Sequence, residues 1–492
     1  MVPGAGDGAE RVEAVLPGML VDWAAPLAPG GARSVMLLAL EKDEHAEGKD
    51  QVTETESDPC SKEAATPSDR LRVLLQLDLS SGTLTTVADG IPAGCGRLLS
   101  EDRDADGTQD VLIACTGGLF YPDADTGKLV PLLEDPDMQA RGVPGRLQGP
   151  ARDTNGIVPV QMIGEARFYH REVTGSWTLL ASPPLPISVS RREGELKLET
   201  ASLRPVGRPA SSRLLYAFGP EHHGGTRLRT VLLDPEAVGE AARQEVWSRL
   251  PRPEVPLSST YALLDGHPAL IVASRSAEKL SFFEEQSLRL FLLDEKDRSR
   301  TGTLPLLAAE SHANLWQMMF PRVVDLDSDG RQDLVTAYWK GLKDTRLVLD
   351  AWMRRPDGTF RSSPATTEFD ILEARRGVLS YGDDIDGDGL GDLAVHAAGE
   401  LRIFRGTRPR PDGRRLVENR PRWAIAAEVA EADNDFDFGF SMFDEGSGHR
   451  VTAGPAPPAI VPIDLDGDGR LEIVIPGGGE SGHFSVVRLG DR

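Results

Sequence analysis

Apolar residues along this chain come in short runs separated by glycine, proline, aspartate or charged turns. "STYALLDGHPALIVASRS" (259–276) is two such runs about one turn, and "SLRLFLLDEKDRSRTGTLPLL" (287–307) reads as a hairpin. "GIVPVQMIGEARFYHREVTGSWTLLA" (156–181) and "RLLYAFGPEHHGGTRLRTVLL" (213–233) have the same texture. Runs of this length bounded by turn-forming residues predict strands. Long stretches with helical apolar spacing are missing, "PEAVGEAARQEVW" (235–247) being the nearest approach to one. The pattern predicts an all-β chain.

Four of the turns share one acidic spacing: "DRDADGTQDV" from Asp102, "DLDSDGRQDL" from Asp325, "DIDGDGLGDL" from Asp384 and "DLDGDGRLEI" from Asp464. The step from 325 to 384 is 59 residues, and the next step of 80 falls to 60 without the stretch at 431–450. The 223 residues from 102 to 325 divide into four steps of about 56, so three repeats between them have lost the acidic loop. With one repeat before Asp102, the count is eight, or seven if the silent region is over-divided. About 60 residues suffice for one four-stranded sheet, which must stack on neighbours to bury both faces, and a ring of such sheets is a β-propeller. The last repeat has only 28 residues after Asp464, and "RVEAVL" (11–16) is placed to supply its missing strand and close the ring. Residues 1–492 are thus read as one propeller domain with two insertions: a polar one at 41–70, and an acidic and phenylalanine-rich one at 431–450. In the second, Asp433, Asp435 and Asp437 alternate with Phe436, Phe438 and Phe440. The phenylalanines there either tuck against the propeller or present an aromatic loop to a partner.

Carboxylates crowded this closely repel unless something neutralises them. Numbered from the first aspartate, positions 1, 3, 5 and 9 of each loop are acidic: Asp102, Asp104, Asp106 and Asp110; Asp325, Asp327, Asp329 and Asp333; Asp384, Asp386, Asp388 and Asp392; Asp464, Asp466, Asp468 and Glu472. Glycine at position 6 (Gly107, Gly330, Gly389, Gly469) permits a sharp turn. Position 7 then offers a backbone carbonyl, from Thr108, Arg331, Leu390 and Arg470. Such an oxygen-rich donor set selects a hard cation, and six or seven oxygens suit Ca²⁺ better than the strict octahedron of Mg²⁺. An EF-hand is excluded, because position 12 is Ile113, Thr336, Val395 or Ile475 and not glutamate, and the flanks are strand-like.

The stretches "VVDLDSDGRQDLVTA", "GDDIDGDGLGDLAVHAAG", "VPIDLDGDGRLEIVIPGGG" and "LLSEDRDADGTQDVLIA" resemble FG-GAP/VCBS repeats, the calcium-loop blades of integrin-α-like β-propellers. The matches cover under a fifth of the chain, and the "FG" and "GAP" flanks are largely absent. The resemblance implies up to four Ca²⁺ ions, each held in the turn between two adjacent strands of a blade. It also implies a role in adhesion or assembly.

Composition narrows the function further. A formal charge of −23, which four divalent ions would bring to −15, excludes nucleic acid and anionic membrane surfaces as partners. No apolar run approaches the roughly 18 residues of a membrane span. The start "MVPGAGDGAERVEAVL" has no basic-then-apolar signal. Surface calcium loops fill at extracellular calcium levels and not in a resting cytosol, so an extracytoplasmic location is expected, with a targeting segment removed. Cys95 and Cys115 flank the first acidic loop and could face each other across a hairpin, as a disulfide or as two buried thiols, leaving Cys60 unpaired. No nucleophile elbow, zinc helix or phosphate loop is present, and neither the Ser481–His483 pair nor His222 and His223 make a convincing site. The expected function is a non-catalytic, calcium-stabilised scaffold binding another surface or secreted protein. The alternatives are a lectin-like module binding glycan and a polysaccharide-degrading propeller enzyme.

Overall fold

The described strands form a succession of antiparallel sheets. In the computed structural model the described residues are 9–26, 34–41, 71–104, 106, 108–123, 125–135, 157–162, 165–172, 174–184, 187–192, 195–200, 204–207, 215–223, 227–235, 237, 243–249, 254–264, 267–276, 285–294, 306–313, 315–318, 322–340, 346–361, 363–369, 379–397, 400–408, 416–426, 461–465, 470–476 and 482–490. Both insertions read from the sequence lie outside them, apart from Glu41. Among the described residues there is no helix, and Arg243–Arg249, the end of the one stretch with helical spacing, is a strand.

The first sheet is Leu20–Ala24, Ser34–Leu40, Arg72–Asp78 and Leu84–Ile91 in chain order. Cys95–Glu101, Asp110–Cys115, Gly118–Pro122 and Leu129–Glu134 make the second. Four-stranded sheets of the same order run from Arg204–Gly207 to Arg243–Arg249, from Glu254–Leu264 to Leu306–Ala313, and from Leu379–Asp383 to Trp423–Ala426. The sheet carrying the Asp325 loop has five strands, because two short pieces, Leu315–Met318 and Arg322–Val324, both pair with Asp333–Lys340. Ile157–Met162, Glu165–Arg171 and Trp177–Ala181 form a three-stranded sheet, followed by a separate hairpin of Ile187–Arg192 and Glu195–Thr200 that the repeat spacing does not anticipate. The last three strands, Val461–Ile463, Glu472–Pro476 and His483–Leu489, are completed by the first strand of the chain, Ala9–Val15, which pairs with His483–Leu489 over all seven residues. All-β architecture built of four-stranded antiparallel sheets fits a β-propeller.

The cores lie between consecutive sheets, which explains the sequence pattern. In "SVMLLAL" (34–40), Val35, Leu37 and Ala39 share a core with Ala14, Leu16, Leu465 and Phe484, while Met36, Leu38 and Leu40 face Leu98 and Ile113. Both parities of the strand are buried, so the run is apolar throughout instead of alternating. Buried and half-buried charges clasp neighbouring sheets. Asp22 accepts the Leu98 N–H at 2.9 Å and pairs with Arg97 at 2.8 Å, and Arg167 bonds both Glu165 and Asp135. Arg322 binds Asp383 through both terminal nitrogens at 2.8 and 2.9 Å.

Cys95 and Cys115, paired directly across their strands, are joined in a buried disulfide. It closes the hairpin that carries the Asp102 loop. Replacing both cysteines by alanine frees a loop of 20 residues in the unfolded chain and should cost about 3 kcal/mol of stability. Denaturant titration of C95A/C115A checks this, and an unchanged midpoint contradicts it.

Candidate metal centres

Each acidic loop joins two consecutive, antiparallel strands of its sheet, with the first carboxylate just past one strand and the ninth position opening the next. The loop is first held by its own hydrogen bonds. At position 1, Asp325 accepts the N–H groups of Asp329 (3.1 Å) and Gly330 (2.9 Å), and Asp384 those of Gly387 (2.9 Å) and Gly389 (2.8 Å). At position 5, Asp106, Asp329 and Asp388 accept the N–H of position 7, from Thr108 (2.7 Å), Arg331 (2.9 Å) and Leu390 (2.9 Å). The chain must turn left-handed to do this. Gly330 and Gly389 have φ of 81° and 83°, as the glycine at position 6 anticipates, and position 4 shares the strain, with Ser328 at 57° and Gly387 at 78°.

Position 9 has a second role that spacing alone does not disclose. Its carboxylate accepts the N–H of position 2: Asp110 from Arg103 (3.1 Å), Asp333 from Leu326 (3.2 Å), Asp392 from Ile385 (2.8 Å) and Glu472 from Leu465 (2.8 Å). In the last three, the position 2 side chain is an apolar plug, 8%, 2% and 1% exposed. The other oxygen accepts from a residue in or just past the neighbouring strand: Arg354 N–H (2.7 Å), Gly406 N–H (2.6 Å) or the Arg488 side chain (2.8 Å). The ninth carboxylate therefore ties loop to sheet. The signal for this was available, since an apolar residue at position 2 recurs in three of the loops.

Three carboxylates converge in each of three loops, with one oxygen from each within 4.8 Å of the others: Asp102, Asp104 and Asp106; Asp325, Asp327 and Asp333; Asp384, Asp386 and Asp392. Asp110, Asp329 and Asp388 fall outside these triplets. In the fourth loop Asp466 and Asp468 lie outside the described residues, while Asp464, Arg470 and Glu472 lie within them. Successive loops approach closely: Ser328 Oγ donates to the Gly389 carbonyl, and a Cβ at Gly387 would come within 3.2 Å of the Arg470 side chain.

The electrostatics of the loops favour a neutralising partner. Burial raises the carboxyl pKa of Asp333 to about 6, with Asp327 and Asp329 adding to it against the hydrogen bonds from Arg354 and Leu326. Burial raises Asp392 to about 7, with Asp386 adding to it. Asp110, Asp327 and Asp386 are raised by the same two causes, burial first and then their acidic neighbours. Asp327 Oδ1 is sealed from solvent and has no hydrogen-bond partner. Arg405 offsets part of the charge in the Asp384 loop, its Nε lying 2.8 Å from Asp386 and 2.9 Å from Asp388.

These shifts fix a pH dependence for the protein in chelator. A carboxyl whose folded pKa is raised favours the folded state at low pH, and that contribution is lost as pH rises through the folded value. Asp333 and Asp392 should therefore destabilise the metal-free protein progressively from about pH 4 to about pH 8. The melting temperature of wild type relative to D333N/D392N, both in chelator, should rise as pH falls. A difference that is flat with pH would contradict this.

A second family of tight turns lies between the last two strands of three sheets. Asp78 accepts N–H groups from Ser80 (2.9 Å) and Ser81 (2.8 Å), and Asp123 from Asp125 (3.1 Å) and Thr126 (2.8 Å). Asp357 likewise accepts from Thr359 (2.9 Å). Hydrogen bonds from Ser80 and Ser81 hold the Asp78 carboxyl down at about 2. These aspartates serve the turn itself, so their charge makes no demand for a cation. Of the histidines considered from the sequence, His483 is exposed at the start of its strand, and Ser481 lies outside the described residues.

No family model and no curated protein matches the chain. Among solved structures, the crystal structure of a protein from Lactobacillus plantarum is 13% identical, with a TM-score of 0.31, over 71% of this chain and 92% of that one. So distant a likeness carries no argument, and the β-propeller reading rests on the sheets themselves.

Proposed function

We propose that the chain is a non-catalytic β-propeller of eight blades, stapled by calcium in its acidic loops, that serves as a scaffold for binding another protein outside the cytoplasm. The observation that carries this reading is the convergence of three carboxylates within 4.8 Å in each of three loops whose backbones are already folded back on themselves. Ca²⁺ binds oxygen at about 2.3–2.6 Å, so two ligands of one ion lie at most about 5 Å apart. The triplets meet that limit, the donors are all oxygen, and Asp327 Oδ1 has no other partner. The residues that would hold the ions are Asp102, Asp104 and Asp106; Asp325, Asp327 and Asp333; Asp384, Asp386 and Asp392; and, by the shared spacing, Asp464 with its loop. The ion would supply positive charge to a turn and no chemistry.

Eight units follow from assigning the three-stranded sheet and the hairpin after it to one blade, with closure through the pairing of Ala9–Val15 with His483–Leu489. The motif resemblance to FG-GAP/VCBS repeats supports the same assignment. A buried disulfide supports an oxidising compartment. The binding role is tested by immobilising the full chain and exposing it to the surface and secreted fractions of its own organism, in calcium and in chelator. One stoichiometric protein retained only in calcium is expected. Nothing retained in either condition contradicts the scaffold role and directs attention to glycans.

A further inference from the structure

The Asp325 and Asp384 loops match position by position, and the match exposes one difference. In both, the carboxylate at position 9 accepts an N–H from just past the strand that follows: Arg354 after Arg346–Trp352, and Gly406 after Glu400–Phe404. The residues before these two donors are therefore equivalent, Met353 in one sheet and Arg405 in the other. Met353 is 5% exposed and packs in the core with Leu349 and Phe369. Arg405 instead places Nε 2.8 Å from Asp386 and 2.9 Å from Asp388. Its backbone is held against the loop, because a Cβ at Gly406 would lie 2.7 Å from the Gly391 carbonyl oxygen and 2.9 Å from the Leu390 Cβ. On its other side the Arg405 carbonyl accepts the Glu418 N–H at 2.8 Å.

The difference falls on position 3. Asp327 and Asp386 each belong to the carboxylate triplet of their loop. Asp327 Oδ1 is sealed from solvent without a hydrogen-bond partner, whereas Asp386 carries a guanidinium. The Asp386 side chain is only 10% exposed, so the pair lies beneath the surface, where salt screens it little. A divalent ion entering the Asp384 loop is repelled by a positive charge already held on one of its own ligands. Resting on the calcium reading above, we propose that Arg405 is a built-in counter-ion of the Asp384 loop, which neutralises that loop without metal and makes it bind calcium less tightly than the Asp325 loop.

The test is calcium titration of the full chain against a chromophoric chelator, for wild type, R405Q, R405K, D325N/D327N and D384N/D386N. D384N/D386N is expected to remove a weaker binding step than D325N/D327N removes. R405Q should tighten that weaker step at least roughly five-fold, the scale of removing one charge a few ångströms from a divalent ion. R405K, which keeps the charge, should stay at the wild-type affinity. The rise in melting temperature from chelator to calcium should also be larger in R405Q than in wild type. Removal by D384N/D386N of a step as tight as that lost in D325N/D327N overturns the proposal. So does tightening by R405K as large as that by R405Q, or an equal rise in melting temperature in R405Q and wild type. Four ions bound with R405Q at wild-type affinity overturns this proposal alone, while no calcium bound by any of the five proteins overturns the calcium reading and this proposal with it.

Discussion

A chain lacking residues 1–16 is expected to melt at least about 5 °C below the full chain. The deleted segment carries Ala14 and Leu16, 6% and 4% exposed, and the partly buried Val12, all packed in the core that joins the last sheet to the first. Losing these side chains costs roughly 4–5 kcal/mol. At about 2.1 cal/mol/K of unfolding entropy per residue, a chain of this length loses about 1 °C per kcal/mol. The deletion also strips the hydrogen-bond partners from His483–Leu489 and removes the Leu16 N–H bond to the Gly482 carbonyl (2.7 Å). The damage is global because the strand lies between the two ends of the chain. Differential scanning calorimetry decides the matter: an unchanged melting temperature would mean that the pairing of Ala9–Val15 contributes nothing to closure.

Chelation is expected to have an effect of similar or greater size. Each independent site at one hundred times its dissociation constant adds about 2.7 kcal/mol. Four sites then contribute about 11 kcal/mol, or about 11 °C on the same entropy scale. The loss on adding chelator should be reversed by calcium and poorly by magnesium, whose smaller, stricter octahedron suits these loops less. Replacing Asp325 and Asp327 together by asparagine should remove about a quarter of the calcium-dependent increment. These two are preferred to Asp333, whose carboxylate also accepts N–H bonds from Leu326 and Arg354, so that D333N would confound metal loss with loss of the loop's own tie.

The sequence disclosed the elements well where an apolar run met a turn. The runs in 156–181, 213–233 and 259–276 all fold as antiparallel neighbours, and all of "RVEAVL" but its final leucine lies within the strand that completes the last sheet. These features are local, set by turn chemistry and by the counting of strands, and a single sequence carries them. The roles inside the acidic loops were less legible. All four carboxylates of a loop look alike in spacing, yet Asp392 is 1% exposed and tied to Ile385 and Gly406, while Asp388 points outward to Arg405. That division depends on which strand lies alongside, a tertiary fact. The disulfide is of the same kind: the residues around Cys95 and Cys115 suggested a hairpin, but only the register sets the two cysteines opposite each other. Arg405, one arginine among many, gave no sign in the sequence that it would lie against Asp386.

The most direct test of the account is a count of bound calcium. Equilibrium dialysis of the metal-stripped full chain against calcium should give four ions per chain, falling to three in D384N/D386N and to three in D102N/D104N. A chain that folds yet binds no calcium above background, or binds it unchanged in both variants, would contradict the claim that these loops are cation sites.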